Sequence, residues 1–317
     1  MAAWSAIAQA QQGERIRRVG VLMAFNENDP EGQAEIAVIR RALAERGWIE
    51  GRTIDIAVRW PGGNIELIET FAKELVGLKP DVLLSRSTPT TAALNKESRV
   101  TPIVFVNVAE PLEQGFVQSL ARPGGNITGF TNLEASVGSK MLQLLKEIDP
   151  RIVRIVVIYN PQAAPFAGSY VRPMESAAAS LSVETIVMPV QSDSDIEAAM
   201  TALARQPGGA LVAVPDSFTA QRRDLIIALA GRERVPALYG LLYFARNGGL
   251  MAYAVDPLDM IHRAADYVDR ILRGAMPAEL PVQQPSRFQL VINLKTAKTL
   301  GLEVPPNLLA IADEVIE

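Results

Sequence analysis

Two acidic residues stand where strand-like runs end, and their carboxylates could bind a cationic group. Glu110 follows the apolar run "PIVFVNVA", and Asp216 follows "ALVAVP". Either carboxylate could accept a charge-assisted hydrogen bond from an ammonium group. A solvated loop acid or a helix cap is the alternative for each, and the neighbouring residues do not support a glycosidase pair. Asp256, in "AYAVDP", either joins them or caps the helix that follows it.

The segment "SRSTP" at 85–89 has the residue types of an anion site. It predicts a helix with Thr88 as its N-cap and Pro89 as its first residue. The free backbone N–H groups and the dipole at such a helix start favour a carboxylate, which the Ser87 and Thr88 hydroxyls could also bind. Plain capping explains Thr88 about equally well. Arg86 could reinforce the site, but we expect its side chain to point to solvent.

Five aromatic residues stand at predicted strand ends, although aromatics make up only 6% of the chain. Ligands of open parallel sheets bind beyond the carboxyl ends of the strands, so rings there could flank an apolar or planar ligand. Core packing is the better explanation of any single ring, and the prediction depends on the group. With their polar neighbours, these positions make up the predicted ligand-binding residues: Phe25, Asn26, Ser87, Thr88, Pro89, Asn107, Glu110, Tyr159, Asn160, Asp216, Ser217, Phe218, Tyr239, Tyr253 and Asp256.

The composition argues against most catalytic chemistry. The 317 residues include no cysteine and a single histidine, His262, which lies in an apparent helix. The sequence therefore excludes disulfides, thiolate metal sites and cysteine nucleophiles, and it disfavours His-based catalysis. It contains neither G-x-G-x-x-G nor G-x-x-x-x-G-K-[ST], the Gly-rich phosphate-binding motifs. The net charge is −4 with both signs mixed along the chain, so we predict no catalytic residue, metal, cofactor or nucleic-acid partner.

Short apolar runs alternate with amphipathic helical stretches along the whole chain, which predicts α/β architecture with parallel sheets. The first predicted helix has Asp29 as its N-cap, and a later one is expected to bury Leu67 and Leu75 on one face. The alternation stops at "ARPGGNITGF" and then restarts. We therefore predict two Rossmann-like lobes, with the first hinge near Pro123–Gly125. The last segment is expected to form a strand, a helix and a terminal helix.

Three segments resemble the ABC-transporter substrate-binding proteins, in the group related to tryptophan- and other aromatic-amino-acid-binding proteins. They are "VFVNVAEPLEQGFVQSLARPGGNITGF", "AADYVDRILRG" and "LPVQQPSRFQLVINLKTAKTLGLEVPPNLLAIADEVIE". The resemblance extends from Arg18 to Glu317 and implies a type I periplasmic-binding-protein fold, with three crossovers between the lobes and a ligand clasped between them. It matches 87–89, Glu110, 159–161 and 215–217 to the cleft loops of that family.

The sequence also departs from the family pattern. The family often has Gly where Ser87 stands, Asp where Glu110 stands, Gly where Ala254 stands and Tyr near Ile261. A longer acid at position 110 changes the reach to an ammonium group. The ligand of better-known relatives therefore cannot simply be transferred to this chain.

These observations predict a solute receptor with two lobes. Lobe 1 is expected at 18–128 plus about 256–284, and lobe 2 at 129–255 plus about 285–317. The predicted function is capture of a small carboxylate-bearing solute, such as an amino acid or an aromatic or branched acid, by hinge closure of a monomer that then docks on an ABC permease. A stand-alone sensor for a membrane partner is the alternative, and an enzyme on the same fold is a weaker one.

The first residues have the features of a shortened signal peptide. Ala8-Gln9-Ala10 is an A-x-A pattern preceded by small apolar residues, so residues 1–10 are expected to be cut off near Ala10. With no cysteine after this point, no lipid anchor can form there. The sequence therefore predicts an unanchored periplasmic protein, and a short amphipathic or disordered terminus is the alternative.

Overall fold

The computed structural model describes residues 15–134, 136–205, 207–285 and 287–317, and two β-sheets form its centre. The first sheet contains β1 (Arg17–Leu22), β2 (Ile54–Arg59), β3 (Val82–Ser85), β4 (Ile103–Val108) and β5 (Ile127–Thr131). Its strands are parallel and lie in the order β2-β1-β3-β4-β5. Between them come α1 (Pro30–Glu45), α2 (Ile65–Gly77) and α3 (Thr88–Glu97). All four residues of β3 are buried, as expected for a parallel strand covered on both faces.

The sequence pattern identifies the start of α1 but not the buried face of α2. The Asp29 side chain accepts a 2.9 Å hydrogen bond from the backbone N–H of Glu31, so the predicted N-cap is confirmed. Along α2, Ile68 and Leu75 are buried, whereas Leu67 is 41% exposed. The predicted face is wrong at Leu67, because the helix turns its neighbour Ile68 toward the sheet.

The second sheet lies in the order β12-β11-β10-β9-β8-β6-β7 and is parallel except where β10 meets β11. Its strands are β6 (Arg154–Tyr159), β7 (Glu184–Pro189), β8 (Gly209–Ala213), β9 (Ala237–Tyr239), β10 (Met251–Ala254), β11 (Gln289–Asn293) and β12 (Glu314–Ile316). The remaining helices are α4 (Val137–Ile148), α5 (Gly168–Ala178), α6 (Asp193–Ala204), α7 (Ser217–Gln221), α8 (Arg223–Arg232), α9 (Leu242–Arg246), α10 (Pro257–Leu272), α11 (Leu294–Leu300) and α12 (Pro306–Ile311), with a 3₁₀ helix at Pro277–Glu279.

The chain crosses between the sheets three times, as predicted. The first crossover joins β5 to α4, so it follows Thr131 and does not lie at Pro123–Gly125, which precedes β5. The second runs from β10 to α10, which returns to the first sheet and packs Tyr267 against Phe130 at a ring distance of 5.0 Å. The third runs from Gln283, whose backbone N–H donates to Gly129 of β5, to β11.

Short elements account for the other differences from the prediction. The run "AQRRDLIIALAGRER" at 220–234 predicts a single helix, but the structure has a break at Arg222 between α7 and α8, and α9 was not predicted. The expected terminal helix ends at Ile311, after which three residues form β12 beside β11. These elements are too short to show a periodic pattern in sequence. Across the described residues, none of the helices is long and apolar enough to cross a membrane.

Candidate functional site

The carboxyl ends of the two sheets meet around a cavity, here called the main chamber. Its volume is about 420 Å³, counted together with its opening to solvent. Residues that follow β1, β3 and β4 line one side, and residues that follow β6, β8 and β9 line the other. The lining residues are Ala24, Phe25, Arg86, Ser87, Thr88, Pro89, Asn107, Ala163, Phe166, Pro215, Asp216, Ser217, Ala220, Leu241 and Tyr243.

The start of α3 faces this chamber, with its cap one residue earlier than predicted. Ser87 is the N-cap, because its backbone is extended and its Oγ accepts from the backbone N–H of Thr90 at 3.4 Å. Thr90 Oγ1 in turn accepts from the Ser87 backbone N–H at 2.9 Å, which completes a capping box. Thr88 is therefore the first helical residue and Pro89 the second, and proline is tolerated there because the first turn needs no N–H donor.

Arg86 does not point to solvent, so that expectation is wrong. Its side chain is 2% exposed, forms two hydrogen bonds to the equally buried carboxylate of Glu35, and lies over the Phe25 ring at 5.6 Å. Burial raises the pKa of Glu35, and the Arg86 guanidinium opposes this shift. Because Glu35 neutralises it, Arg86 supports the chamber wall and adds no uncompensated positive charge.

On the opposite wall lies the carboxylate of Asp216, which forms no ion pair among the residues that the structure describes. It accepts hydrogen bonds from the backbone N–H groups of Thr219 at 2.7 Å and Asn160 at 2.9 Å. Burial raises its pKa to about 6, although these two bonds favour the charged form. Next to it, Ser217 is 7% exposed, and its Oγ has no hydrogen-bond partner among the residues described. The site therefore offers a cationic group both an acceptor with negative charge and an unused hydroxyl.

A β-bulge at the end of β4 turns Asn107 toward the cleft. The register with β5 shifts between Val106 and Val108, and Asn107 takes a left-handed φ of 60°. Bulges of this kind re-aim a side chain next to functional sites, and asparagine tolerates this conformation better than most residues. Glu110 also has a positive φ, of 49°, but does not line the chamber.

A second chamber, of about 360 Å³ when the adjoining solvent space is counted, lies beside the first and shares Asn107, Leu241 and Tyr243 with it. Its other lining residues are Asn132, Val137, Tyr170, Gly240, Leu242, Tyr253, Ala254, Val255, Pro257 and Phe288. Tyr253, a predicted residue, stacks on Phe288 with ring centroids 5.2 Å apart. Burial, and secondarily Glu110, raise the pKa of Tyr170, so its hydroxyl stays protonated. The second chamber is thus mainly apolar and aromatic.

The structure brings many of the predicted residues together but leaves others outside both chambers. Phe25, Ser87, Thr88, Pro89, Asn107, Asp216, Ser217 and Tyr253 line one or both, and Asn26, Glu110, Tyr159, Asn160, Phe218, Tyr239 and Asp256 line neither. Asp256 caps α10 by accepting from Leu258 N–H at 2.9 Å. The Asn160 side chain forms hydrogen bonds with the backbone of Val190 and Ala163. The backbone N–H of Asn160 donates to the Asp216 carboxylate and so orients it.

The rings outside the chambers have structural contacts instead. Tyr239 is 1% exposed and stacks on Phe244 at 4.6 Å. Phe218 lies under the Arg222 guanidinium at 3.7 Å. Tyr159 packs against the core that lies beneath the second sheet. A ring at a strand end can face the core as readily as the cleft, because the pleat alternates side-chain direction along the strand.

Sequence reasoning did not identify two aromatic residues of the main chamber, Phe166 and Tyr243. They lie in the segments after β6 and β9, several residues beyond the strand ends. Phe25 and Tyr243 approach each other edge to face across the cleft, at 6.3 Å. Both would have been predicted if the search for residues beyond the strand ends had included each whole connecting segment and the start of the next helix.

Polar contacts join the two sides at the mouth of the cleft, and we call them the clasp: Asp29, Arg223, Asn26 and Gln221. Asp29 and Arg223 form a 2.7 Å ion pair with side chains only 7% and 12% exposed. The Asn26 amide donates to Gln221 at 2.7 Å, and Gln221 donates to the Ala24 carbonyl at 3.3 Å. Asp29 and Asn26 precede α1, whereas Arg223 and Gln221 belong to the other side, so the clasp holds the cleft shut.

Charge in the main chamber is therefore negative. Its titratable lining residues are Arg86, Asp216 and Tyr243; Glu35 compensates Arg86, and burial raises the pKa of Tyr243, which stays neutral. In the described part of the chain, no three His, Cys, Asp or Glu residues are grouped so that they could hold a metal ion. The arrangement can bind a solute that carries an anionic group toward α3 and a cationic group toward Asp216.

Comparisons with known proteins agree with this architecture. A family model described as "ABC transporter substrate binding protein" matches residues 22–316. A "Tyrosine-binding protein" of Clostridioides difficile (strain R20291) is 24% identical over 263 residues, 83% of this chain and 75% of that protein. A conserved domain protein from Vibrio cholerae has a TM-score of 0.87 at 29% identity, covering 95% of this chain and all of that one. An ABC domain in complex with L-Trp from Streptococcus pneumonia has a TM-score of 0.86 at 23% identity, covering 95% and 99%.

These likenesses confirm the fold predicted from the sequence: two Rossmann-like lobes of the type I periplasmic binding proteins, joined by three crossovers. The predicted ligand-binding residues remain predictions at this level, since a shared fold does not identify a ligand. The predicted cleavage near Ala10 lies outside the described residues.

Proposed function

The chain belongs to the ABC transporter substrate-binding protein family, and on that premise we propose that it captures an α-amino acid in its cleft for an ABC importer. One observation carries the proposal: the main chamber sets the start of α3 opposite the uncompensated carboxylate of Asp216. An α-amino acid has a carboxylate and an ammonium group on one carbon, which fits these two sides. No covalent step is involved, so the proposed role is not enzymatic.

Named residues have distinct roles in this proposal. The α3 dipole and the hydroxyls of Ser87 and Thr88 receive the carboxylate. Asp216 and the Ser217 hydroxyl receive the ammonium group. The rings of Phe25, Phe166 and Tyr243 cover the apolar part of the solute. One relative is named a tyrosine-binding protein, and a similar structure was solved in complex with L-Trp. Both support an aromatic amino acid as the ligand.

We propose that the ligand acts by favouring the closed arrangement of two lobes. Lobe 1 consists of the first sheet and α10, which are formed by the chain up to Thr131 and by residues from about 256 to 284. Lobe 2 consists of the rest of the chain. Because the ligand contacts both lobes, it binds the closed form more tightly and shifts the population toward it. The closed monomer then docks on a permease from the extracytoplasmic side, in keeping with the periplasmic location predicted from the sequence.

Calorimetric titration with amino acids tests the proposal. We expect micromolar or tighter binding of at least one aromatic amino acid, with the compound recovered unchanged. Matched analogues that lack either charge, tyramine without the carboxylate and 3-(4-hydroxyphenyl)propionate without the ammonium group, should each bind at least about tenfold more weakly than tyrosine. Equal affinity for all three compounds, or chemical turnover of any of them, would contradict the proposal.

The clasp should contribute to affinity without touching the ligand. Arg223→Met removes the buried ion pair with Asp29, and we expect the dissociation constant of the amino acid to rise about ten- to hundredfold, because the closed form loses stability. Arg232→Met, on the same helix but 64% exposed, is the matched control and should leave affinity unchanged. Equal affinity of the Arg223 variant and wild type would show that the clasp does not stabilise the liganded state.

A further inference from the structure

The two chambers adjoin each other, and they differ in polarity. Asp216 and the start of α3 lie in the main chamber, and Asn107, Leu241 and Tyr243 line both chambers at their junction. Beyond this junction the wall is mostly apolar. A solute whose α-carbon lies in the main chamber has the second chamber beside it, and aromatic and aliphatic residues there could pack against a ring of its side chain.

One polar side chain of the second chamber has an acceptor atom with no partner among the described residues. Asn132 follows β5 at the first crossover and is 4% exposed. Its backbone N–H donates to the Val108 carbonyl at 3.3 Å, which holds the residue in place. Its side-chain Oδ1 is buried and has no hydrogen-bond partner within the described ranges.

A buried acceptor without a partner is costly and rare in native proteins. Val137, Leu242 and Phe288, which line the same chamber, have no donor to offer Oδ1, and the Tyr170 hydroxyl, which could donate, forms no hydrogen bond with it in the described part of the chain. A hydrogen-bond donor on a bound solute would satisfy Oδ1. Among amino acids whose side chain contains a benzene ring, tyrosine carries a hydroxyl and tryptophan an indole N–H, whereas phenylalanine carries no such donor.

We propose that Asn132 is a specificity-determining residue, whose Oδ1 accepts a hydrogen bond from a donor on the ring of the bound amino acid. This inference rests on the proposed function, which requires an amino acid but does not specify its side chain. The physical basis is asymmetric. A ligand ring with a donor forms a hydrogen bond to Oδ1. A ligand ring without a donor leaves Oδ1 buried and unpaired, so the protein binds that ligand more weakly.

Titration of tyrosine, tryptophan and phenylalanine into wild type and Asn132→Leu tests the inference. Wild type should bind tyrosine or tryptophan at least about tenfold more tightly than phenylalanine. The leucine variant has nearly the same volume and no acceptor, so it should lose that preference while phenylalanine binds as well as before or better. Phenylalanine thus serves as an internal control for the integrity of the site.

A second measurement does not depend on the variant folding. In wild type, O-methyltyrosine and 1-methyltryptophan, which lack the donor, should bind more weakly than tyrosine and tryptophan. Equal binding of phenylalanine and the two donor-bearing amino acids by wild type overturns the inference, as does an equal loss for all three in Asn132→Leu. Binding of aliphatic amino acids alone overturns it and leaves amino-acid capture intact, whereas failure to bind any amino acid overturns the proposed function with it.

Discussion

Replacement of Asp216 by asparagine should weaken amino-acid binding at least about thirtyfold, because the ammonium group loses its charged partner in a desolvated site. The substitution keeps the shape of the side chain and one oxygen to cap α7, but its amide nitrogen cannot accept the second backbone hydrogen bond, from the N–H of Asn160. Calorimetric titration of wild type and variant with the same amino acid gives the ratio. Thermal unfolding of both proteins without ligand checks that the variant is folded.

The pH dependence of binding should show that the charge of Asp216 is responsible for the difference in affinity. Its pKa in the ligand-free protein is raised to about 6 by burial, and a bound ammonium group stabilises the ionised form. Binding therefore releases a proton at low pH, and affinity should rise up to about pH 6, by at most about tenfold per pH unit, and level off above it. Asp216→Asn should not show this rise. A pH-independent wild type, or a variant that keeps the wild-type profile, would remove Asp216 from the site.

The raised pKa of Asp216 also makes the stability of the ligand-free protein depend on pH. This stability falls as the pH rises, whereas the affinity for the amino acid rises. The folded-state pKa of about 6 lies above the ordinary value of 3.8, so the buried charge destabilises the folded state above pH 6. That cost disappears below the ordinary value, where the group is neutral in both states. Ligand should therefore stabilise the protein most at neutral pH, where the ammonium group compensates the charge.

Glu35→Gln should cause the largest loss of stability, lowering the free energy of unfolding by about 3 kcal/mol or more, because it leaves Arg86 buried without a counter-charge. Both side chains are 2% exposed, so water cannot replace the lost partner. Chemical denaturation followed by tryptophan fluorescence measures the change. Loss of the support under Phe25 should also weaken ligand binding in the surviving folded protein.

Two further variants test whether the unpaired charge of Arg86 causes the loss of stability in Glu35→Gln. Glu69→Gln removes an exposed ion pair with Lys96 and should leave the free energy of unfolding nearly unchanged. Glu35→Leu combined with Arg86→Met removes both charges and should recover much of the lost stability. If Glu35→Gln proves as harmless as the Glu69 variant, the pair does not support the chamber wall.

Much of the cleft followed from local sequence. Asp216, Ser217, Ser87 and Thr88 were found because strand ends and helix starts have short-range signatures, and parallel strands bring their carboxyl ends to one edge. The cap at Ser87 was misplaced by one residue, since Ser and Thr have similar capping tendencies and only the backbone conformation distinguishes them.

Long-range pairing explains what the sequence could not show. Arg86 was expected in solvent because its partner, Glu35, is 51 residues away and on another element. Arg223 and Asp29 are 194 residues apart, and local sequence shows only a charged residue on a helix for Arg223 and a helix cap for Asp29. Tyr239 was placed in the cleft, although only the packing of α9 shows that its ring belongs to the core.

The sequence by itself determined the α/β class, the two-lobed plan and the loops that face the cleft, because apolar period, capping and turn chemistry act over a few residues. Tertiary structure alone decided which side of each loop faces the chamber, which charges are neutralised, and which acceptors are left without a partner. Those properties depend on burial and on distances between residues far apart in the chain. For that reason Asn132, an unremarkable polar residue in "FTNLEA", acquires a proposed role only after folding buries its carboxamide beside the second chamber.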